Sequence, residues 1–193
     1  MTRSRLILIA LLAAVAAGSI GAWVSVAVRR RIARPSNVPS TAAASAATAT
    51  PGRKIKARLY YVSIDGTKLT GLDREVSYAD GAAAQAQEIV SAQLTAVPAP
   101  LVSAIPAATT LRALYLNERG TAFVDLSKDV STAHTGGSQN ELLTIYSIVN
   151  ALTANLPAIT SVQLLVDGKE VDTLAGHIEL RKPLQKNLGI IAP

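Results

Sequence analysis

The chain has 193 residues, a formal net charge of +6 and no cysteine, which excludes disulfides, thiolate metal sites and cysteine nucleophiles. Residues 1–57 carry nine Lys or Arg and no acid, whereas residues 58–183 carry nine Lys or Arg and all thirteen acids. The positive charge therefore belongs to the head of the chain. The mildly acidic remainder lacks the basic patch that recognition of DNA or RNA needs, so we expect no nucleic-acid partner.

A membrane segment is the first predicted element. Leu6–Val28 is an uncharged run of 23 residues, long enough to cross about 30 Å of hydrocarbon. Residues 1–28 therefore predict an uncleaved signal anchor with its helix over 6–28. A cleaved signal peptide ending near Ala16 is the alternative. The arginine counts on the two sides are too similar to fix the orientation.

A linker follows the membrane segment. Residues 29–57 begin with arginines and continue as an Ala/Ser/Thr/Pro-rich stretch without helical or strand periodicity. The basic run Arg53–Lys56 at its end indicates a solvated domain boundary, with contact to anionic lipid as the alternative.

The first half of the remaining chain reads as a hairpin and a helix. Residues 58–64 predict a strand, Asp65–Gly66 a two-residue turn, and residues 73–77 the core of the return strand. Asp80 is the expected N-cap of a helix that runs from Ala82 to Val97 and stops at Pro98.

The second half repeats the order of two strands and a helix. We expect strands over 110–116 and 121–126 around a turn at 117–120, a loop over 127–137, a helix from Ser138 to Leu156 and a strand over 161–166. Short edge pieces are expected near 170–174 and 177–180.

Two sets of residues have predicted structural roles. Ser138 and Glu141 match a capping box, in which each side chain bonds the other residue's backbone N–H at a helix start. Asp167 and Gly168 follow a strand and predict another tight turn. Together these elements predict an α+β fold over residues 58–183, with residues 184–193 as a tail. Its architecture would be a two-layer sandwich, a mostly antiparallel sheet with two amphipathic helices on one face.

No residue pattern indicates catalysis. A Ser-His-Asp set would have to combine distant residues, and no G-x-S-x-G motif is present. Carboxylate pairs are available, Asp125 with Asp129 or Asp167 with Glu170 and Asp172, but turn and edge positions explain these acids better. The two histidines lack metal-ligand spacing, so we expect no metal and no cofactor.

One loop is a candidate ligand site. His134, Gly136, Gly137 and Ser138 precede a predicted helix start, where free backbone amides can bind an anion. The sequence there matches neither a phosphate-binding P-loop nor a dinucleotide-binding motif.

Several segments, taken in order, resemble the GerMN domain family, a bacterial sporulation and germination module. The segments are Leu59–Tyr61, Arg74–Val76, Ile105–Leu111, Val124–Ser127, Gly137–Leu142, Ile148–Thr153, Val162–Gly168 and Thr173–His177. The resemblance implies an extracytoplasmic domain on a membrane or lipid anchor, without a known enzyme activity. It also implies a role in protein–protein assembly, with other envelope proteins or with itself.

Two alternatives to assembly stay open. A cell-wall glycan could bind the sheet face that carries Tyr60, Tyr61 and Tyr115, or the loop His134–Ser138. A carboxylate-dependent hydrolase is the less favoured alternative.

Overall fold

The computed structural model of the protein describes residues 49–193, and these begin with a long β-hairpin. Strand β1 spans Ala49–Val62 and β2 spans Leu69–Ala79, paired antiparallel with Val62 opposite Leu69. Residues 63–68 connect the strands, so the predicted two-residue turn at Asp65–Gly66 is wrong. The reason is local: the Asp65 carboxylate accepts hydrogen bonds from Ser63 Oγ and Thr67 N–H, which closes a wider turn.

Three helices and four further strands follow the hairpin. In chain order they are α1 (Ala82–Leu94), β3 (Leu111–Leu116), β4 (Thr121–Leu126), α2 (Asp129–Thr132), α3 (Ser138–Asn155), β5 (Ser161–Val166) and β6 (Lys169–Glu170). The short α2 lies in the predicted loop. Asp80 does not cap α1, because its carboxylate accepts from Tyr78 Oη instead and Gly81 occupies the cap position.

The strands form two sheets, and the predicted single sheet is wrong. β1 and β2 make one sheet, and the other has the order β3-β4-β5-β6. β4 and β5 are parallel, because α3 lies between them in the chain and carries it back across the sheet. The fold is α+β, as predicted. Each long helix contacts strands of both sheets, and the two helices also contact each other.

Side-chain amides explain why the hairpin is not joined to the second sheet along β1. Gln93 on α1 accepts from Tyr60 N–H and donates to the Tyr60 carbonyl, at 2.9 and 2.7 Å. Asn155 on α3 makes the same pair of bonds with Arg58, each 2.8 Å long. The two amides occupy the positions that a neighbouring strand would fill, which the pattern of apolar residues does not reveal.

The core draws on both sheets and both long helices. Tyr60 and Tyr61 are buried in it, and Arg74 Nη1 donates to the Tyr61 hydroxyl at 2.9 Å. The tyrosine platform expected for a glycan is therefore not available, since only Tyr115 among the three is exposed.

The C-terminal segment packs on the domain. Leu184 pairs with Val162 of β5, and Ile191 lies parallel to Leu69 of β2. The buried Asn150 side chain on α3 accepts from Asn187 N–H and donates to its carbonyl, both at 2.9 Å. Residues 184–193, expected to be a tail, thus pack on the domain and make one isolated bridge to a strand of each sheet.

The predicted anchor over residues 6–28 lies outside the described residues, as does most of the predicted linker. β1 begins at Ala49, inside the segment 29–57 that the sequence assigns to that linker. Between residues 49 and 193, no helix combines the length and apolar character needed to span a membrane.

Candidate functional site

The start of α3 differs from the predicted capping box. Gly137, with φ 86°, is the cap residue, and no side chain caps the helix. Ser138 is exposed and makes no cap bond, whereas Glu141 is fully buried. The capping-box prediction is wrong because the Glu141 carboxylate has other partners.

Those partners are backbone groups of the segment after β6. Glu141 Oε1 accepts from Leu174 and Ala175 N–H at 2.8 and 2.9 Å, and Oε2 accepts from His177 N–H at 2.8 Å. His177 Nδ1 lies 3.2 Å from Oε2. Burial raises the pKa of the Glu141 carboxyl, but the backbone donors outweigh burial, so its pKa is lower than usual. Glu141 therefore attaches the C-terminal segment to α3 as a carboxylate.

A second polar cluster holds the predicted turn at Asp167 and Gly168, which joins β5 to β6. Asp125 on β4 accepts from Gly168 N–H at 2.7 Å and lies 3.3 Å from Arg112 Nε. Arg112 Nη1 also donates to Asp167 at 2.6 Å. Because one guanidinium contacts both carboxylates, this cluster holds the turn between β5 and β6 against β4.

The loop at His134 is ordered by its own hydrogen bonds. His134 Nδ1 accepts from Gly136 N–H at 2.9 Å, so a neutral ring carries its proton on Nε2. Nε2 then donates to Thr144 Oγ1 at 3.1 Å, and that hydroxyl lies 2.6 Å from the Ala104 carbonyl. Both ring nitrogens are thus hydrogen-bonded within the chain, which fixes the orientation of the imidazole.

This loop forms one wall of a cleft of about 440 Å³. The other walls are the β1 end with its turn and the segment before β3. The residues that matter most to its character are Val62, Ile64, Val102, Ile105, His134 and Leu143. Ile64 and Val102 are 84% and 62% exposed, so aliphatic side chains stand in solvent at a cleft that is also lined by polar residues such as Ser63, Ser103 and Asn140. Exposed apolar surface at a concave site is typical of a binding surface.

The structure brings only part of the predicted ligand loop to this cleft. His134 lines it, whereas Gly136, Gly137 and Ser138 do not. Sequence reasoning missed Ile64 and Val102. Ile64 lies in the turn, two residues after the end of β1 at Val62, and its exposure depends on the wide turn that replaced the predicted one.

Metal chemistry has no visible basis in the part of the chain that the structure describes. Residues 49–193 contain no group of three or more His, Asp or Glu side chains placed to hold a metal ion.

The comparison with family models gives one match. The model of the family "Germane: Sporulation and spore germination" matches residues 58–172, more than half of the chain. The chain belongs to the Germane family. This confirms the resemblance to GerMN domains. No curated protein shows significant sequence similarity to the chain.

Solved structures with GerMN domains share the fold of this Germane domain. The first GerMN domain of the sporulation protein GerM from Bacillus subtilis is 17% identical, with a TM-score of 0.53 over 70% of this chain and 98% of that one. The tandem GerMN domains of the same protein are 18% identical, with a TM-score of 0.54 over 69% of this chain and 46% of that one. A structure described as a lipoprotein from Clostridium perfringens is 24% identical with a TM-score of 0.51, over 69% and 88% of the two chains.

Proposed function

We propose that this Germane-family protein is anchored to the bacterial membrane with its domain outside the cytoplasm. There it mediates protein–protein assembly without catalysing a reaction. The cleft carries this proposal: it is lined by the exposed aliphatic side chains of Ile64 and Val102 and by His134, whose two ring nitrogens are hydrogen-bonded within the chain. Such a site favours binding an aliphatic group of a partner protein over chemistry on a small molecule.

Two comparisons support the location. The family is described by sporulation and spore germination, and one structural relative is described as a lipoprotein. The uncharged run Leu6–Val28 provides a means of anchoring the chain itself.

Site-specific photocrosslinking in whole cells tests this function. A photoreactive amino acid at Ile64 in the full chain is expected to capture another protein. The control places the same group at Tyr115, which is 58% exposed but does not line the cleft. Adducts at Ile64 but not at Tyr115 support assembly through the cleft. A monomer alone from Ile64 contradicts it.

A glycan ligand is the second candidate, because the His134 loop lines the same cleft. It has less support, since Tyr60 and Tyr61 are buried and the ring nitrogens of His134 are bonded within the chain. Sedimentation of the detergent-solubilised chain with isolated peptidoglycan distinguishes a glycan ligand from a protein partner. Co-sedimentation lost on Asn140→Ala, a cleft-lining change, would favour the glycan.

A further inference from the structure

The β1–β2 hairpin has an outer edge on each strand, and part of each edge is paired with other groups of the domain. On β1 the groups of Arg58 and Tyr60 bond Asn155 and Gln93, and Val62 N–H donates to the Val102 carbonyl. The even-numbered residues of β1 therefore direct their N–H and C=O away from β2.

On β2 the odd-numbered residues face outward. Leu69 bonds Ile190 and Ala192 of the C-terminal segment, and the Gln85 side chain bonds the Ser77 carbonyl and Ala79 N–H. Both ends of this edge are thus occupied by groups of the same chain.

Two short windows remain open. On β2 the outward groups of Gly71, Asp73 and Glu75 bond no other group within residues 49–193. On β1 the outward groups of Lys54 and Lys56 likewise bond no other group within residues 49–193. An open strand edge is a template for pairing with another strand.

The two windows have opposite charge. The β1 window carries Lys54 and Lys56, and the β2 window carries Asp73 and Glu75. Their side chains share one face of the hairpin, because Lys56 is opposite Glu75 and Arg58 is opposite Asp73. Within one copy Glu75 already pairs with Lys54 and Asp73 with Arg58, each at 2.9 Å, and these four side chains are more than half exposed, so each can also meet a charge on a neighbouring strand. Pairing of two β1 edges would place lysines together and pairing of two β2 edges would place acids together, both unfavourable.

We propose that the β1 window of one copy of this chain pairs antiparallel with the β2 window of a second copy. In the register that aligns the windows, Lys56 lies opposite Asp73 of the second copy and Lys54 lies opposite Glu75. Each lysine then meets a carboxylate across the strands, while the outward backbone groups of both windows gain partners. The contact is heterologous, so one copy keeps an open β2 window and the other an open β1 window for further neighbours. This inference rests on the proposed assembly function and specifies one of its partners.

Thiol crosslinking tests this contact. Because the sequence contains no cysteine, an introduced cysteine is the only thiol that the crosslinker can react with. Full chains with Lys56→Cys and with Asp73→Cys are solubilised in mild detergent and treated with a short thiol-to-thiol crosslinker, alone and mixed. A crosslinked dimer is expected from the mixture and not from either variant alone. A mixture of Lys128→Cys with Asp73→Cys reports random collision, since Lys128 is exposed and lies outside the hairpin.

Charge substitutions in trans provide the second measurement. Lys54→Glu on the Lys56→Cys chain is expected to lower the mixed dimer several-fold, and Glu75→Lys on the Asp73→Cys chain to restore it. Circular dichroism of each variant checks that it is folded. A mixed dimer no more abundant than the Lys128 control, equal dimers from each single variant, or no response to charge would overturn the proposal. Adducts at Ile64 in cells without a mixed dimer would overturn this contact and leave the assembly function standing.

Discussion

The role of Glu141 gives the sharpest prediction about stability. Glu141→Gln keeps the size of the side chain but replaces one carboxylate oxygen by an NH₂ donor. If the remaining oxygen keeps its hydrogen bonds from Leu174 and Ala175 N–H, the new NH₂ group faces His177 N–H. Two donors then meet, and His177 N–H is left without an acceptor. A lost charge-assisted bond with an unsatisfied buried donor costs roughly 2–3 kcal/mol in the free energy of unfolding.

Urea denaturation of the full chain followed by circular dichroism measures this cost. Glu118→Gln is the matched control, because Glu118 is exposed in the turn between β3 and β4. Ser138→Ala discriminates the two accounts of the helix start. If Ser138 formed a capping box, this substitution would lower the free energy of unfolding by about 1 kcal/mol. The observed geometry predicts a decrease of less than about 0.5 kcal/mol. The reasoning is refuted if Glu141→Gln matches the control while Ser138→Ala is costly.

Three further predictions follow from the polar contacts. The difference in unfolding free energy between wild type and Glu141→Gln has its full size above the ordinary glutamate pKa of about 4.3. It shrinks as the pH falls through the depressed folded-state pKa of that carboxyl, which urea midpoints across an acid series measure. Gln93→Leu leaves both backbone groups of Tyr60 unpaired in the core and should cost roughly 2–4 kcal/mol. An unchanged urea midpoint would contradict that role. Asp125→Leu removes the acceptor for Gly168 N–H and should lower the unfolding free energy by about 2 kcal/mol. Asp125→Asn, which keeps an acceptor, should lower it less, and equal losses would refute the role of that bond.

Local patterns predicted most of the strands and helices. The alternation in Thr121–Leu126 and the helical spacing after Ser138 reflect burial of one face of each element, and both elements lie where expected. Both patterns are visible within a single segment, which is why they could be read before the fold was known.

The sheet arrangement could not be read in the same way. It depends on Gln93 and Asn155, which bond strand β1 from helices far away in sequence. Glu141 was misassigned for a related reason. Its spacing from Ser138 fits a local cap, but the backbone donors that it binds lie more than thirty residues later in the chain. Long-range polar contacts leave no periodic signal in the sequence.

The sequence predicted a ligand loop and not a cleft, and of the four predicted loop residues only His134 lines the cleft. Its aliphatic rim requires residues 63–68 to form a wide turn and Val102 to pair with Val62, and neither follows from composition. Conversely, the buried tyrosines show that β-branched and aromatic strand content does not by itself tell which side chains face solvent.

We propose above all that this domain works by binding another protein at the cleft that Ile64 and Val102 line. The most direct measurement is the yield of photocrosslinked adduct from Ile64 in whole cells, with and without Val102→Asp in the same chain. Because Val102 is 62% exposed, the substitution should leave the urea midpoint unchanged and place a charge at the rim of the cleft. The account predicts a large loss of adduct from a normally folded protein, and an undiminished adduct would contradict it.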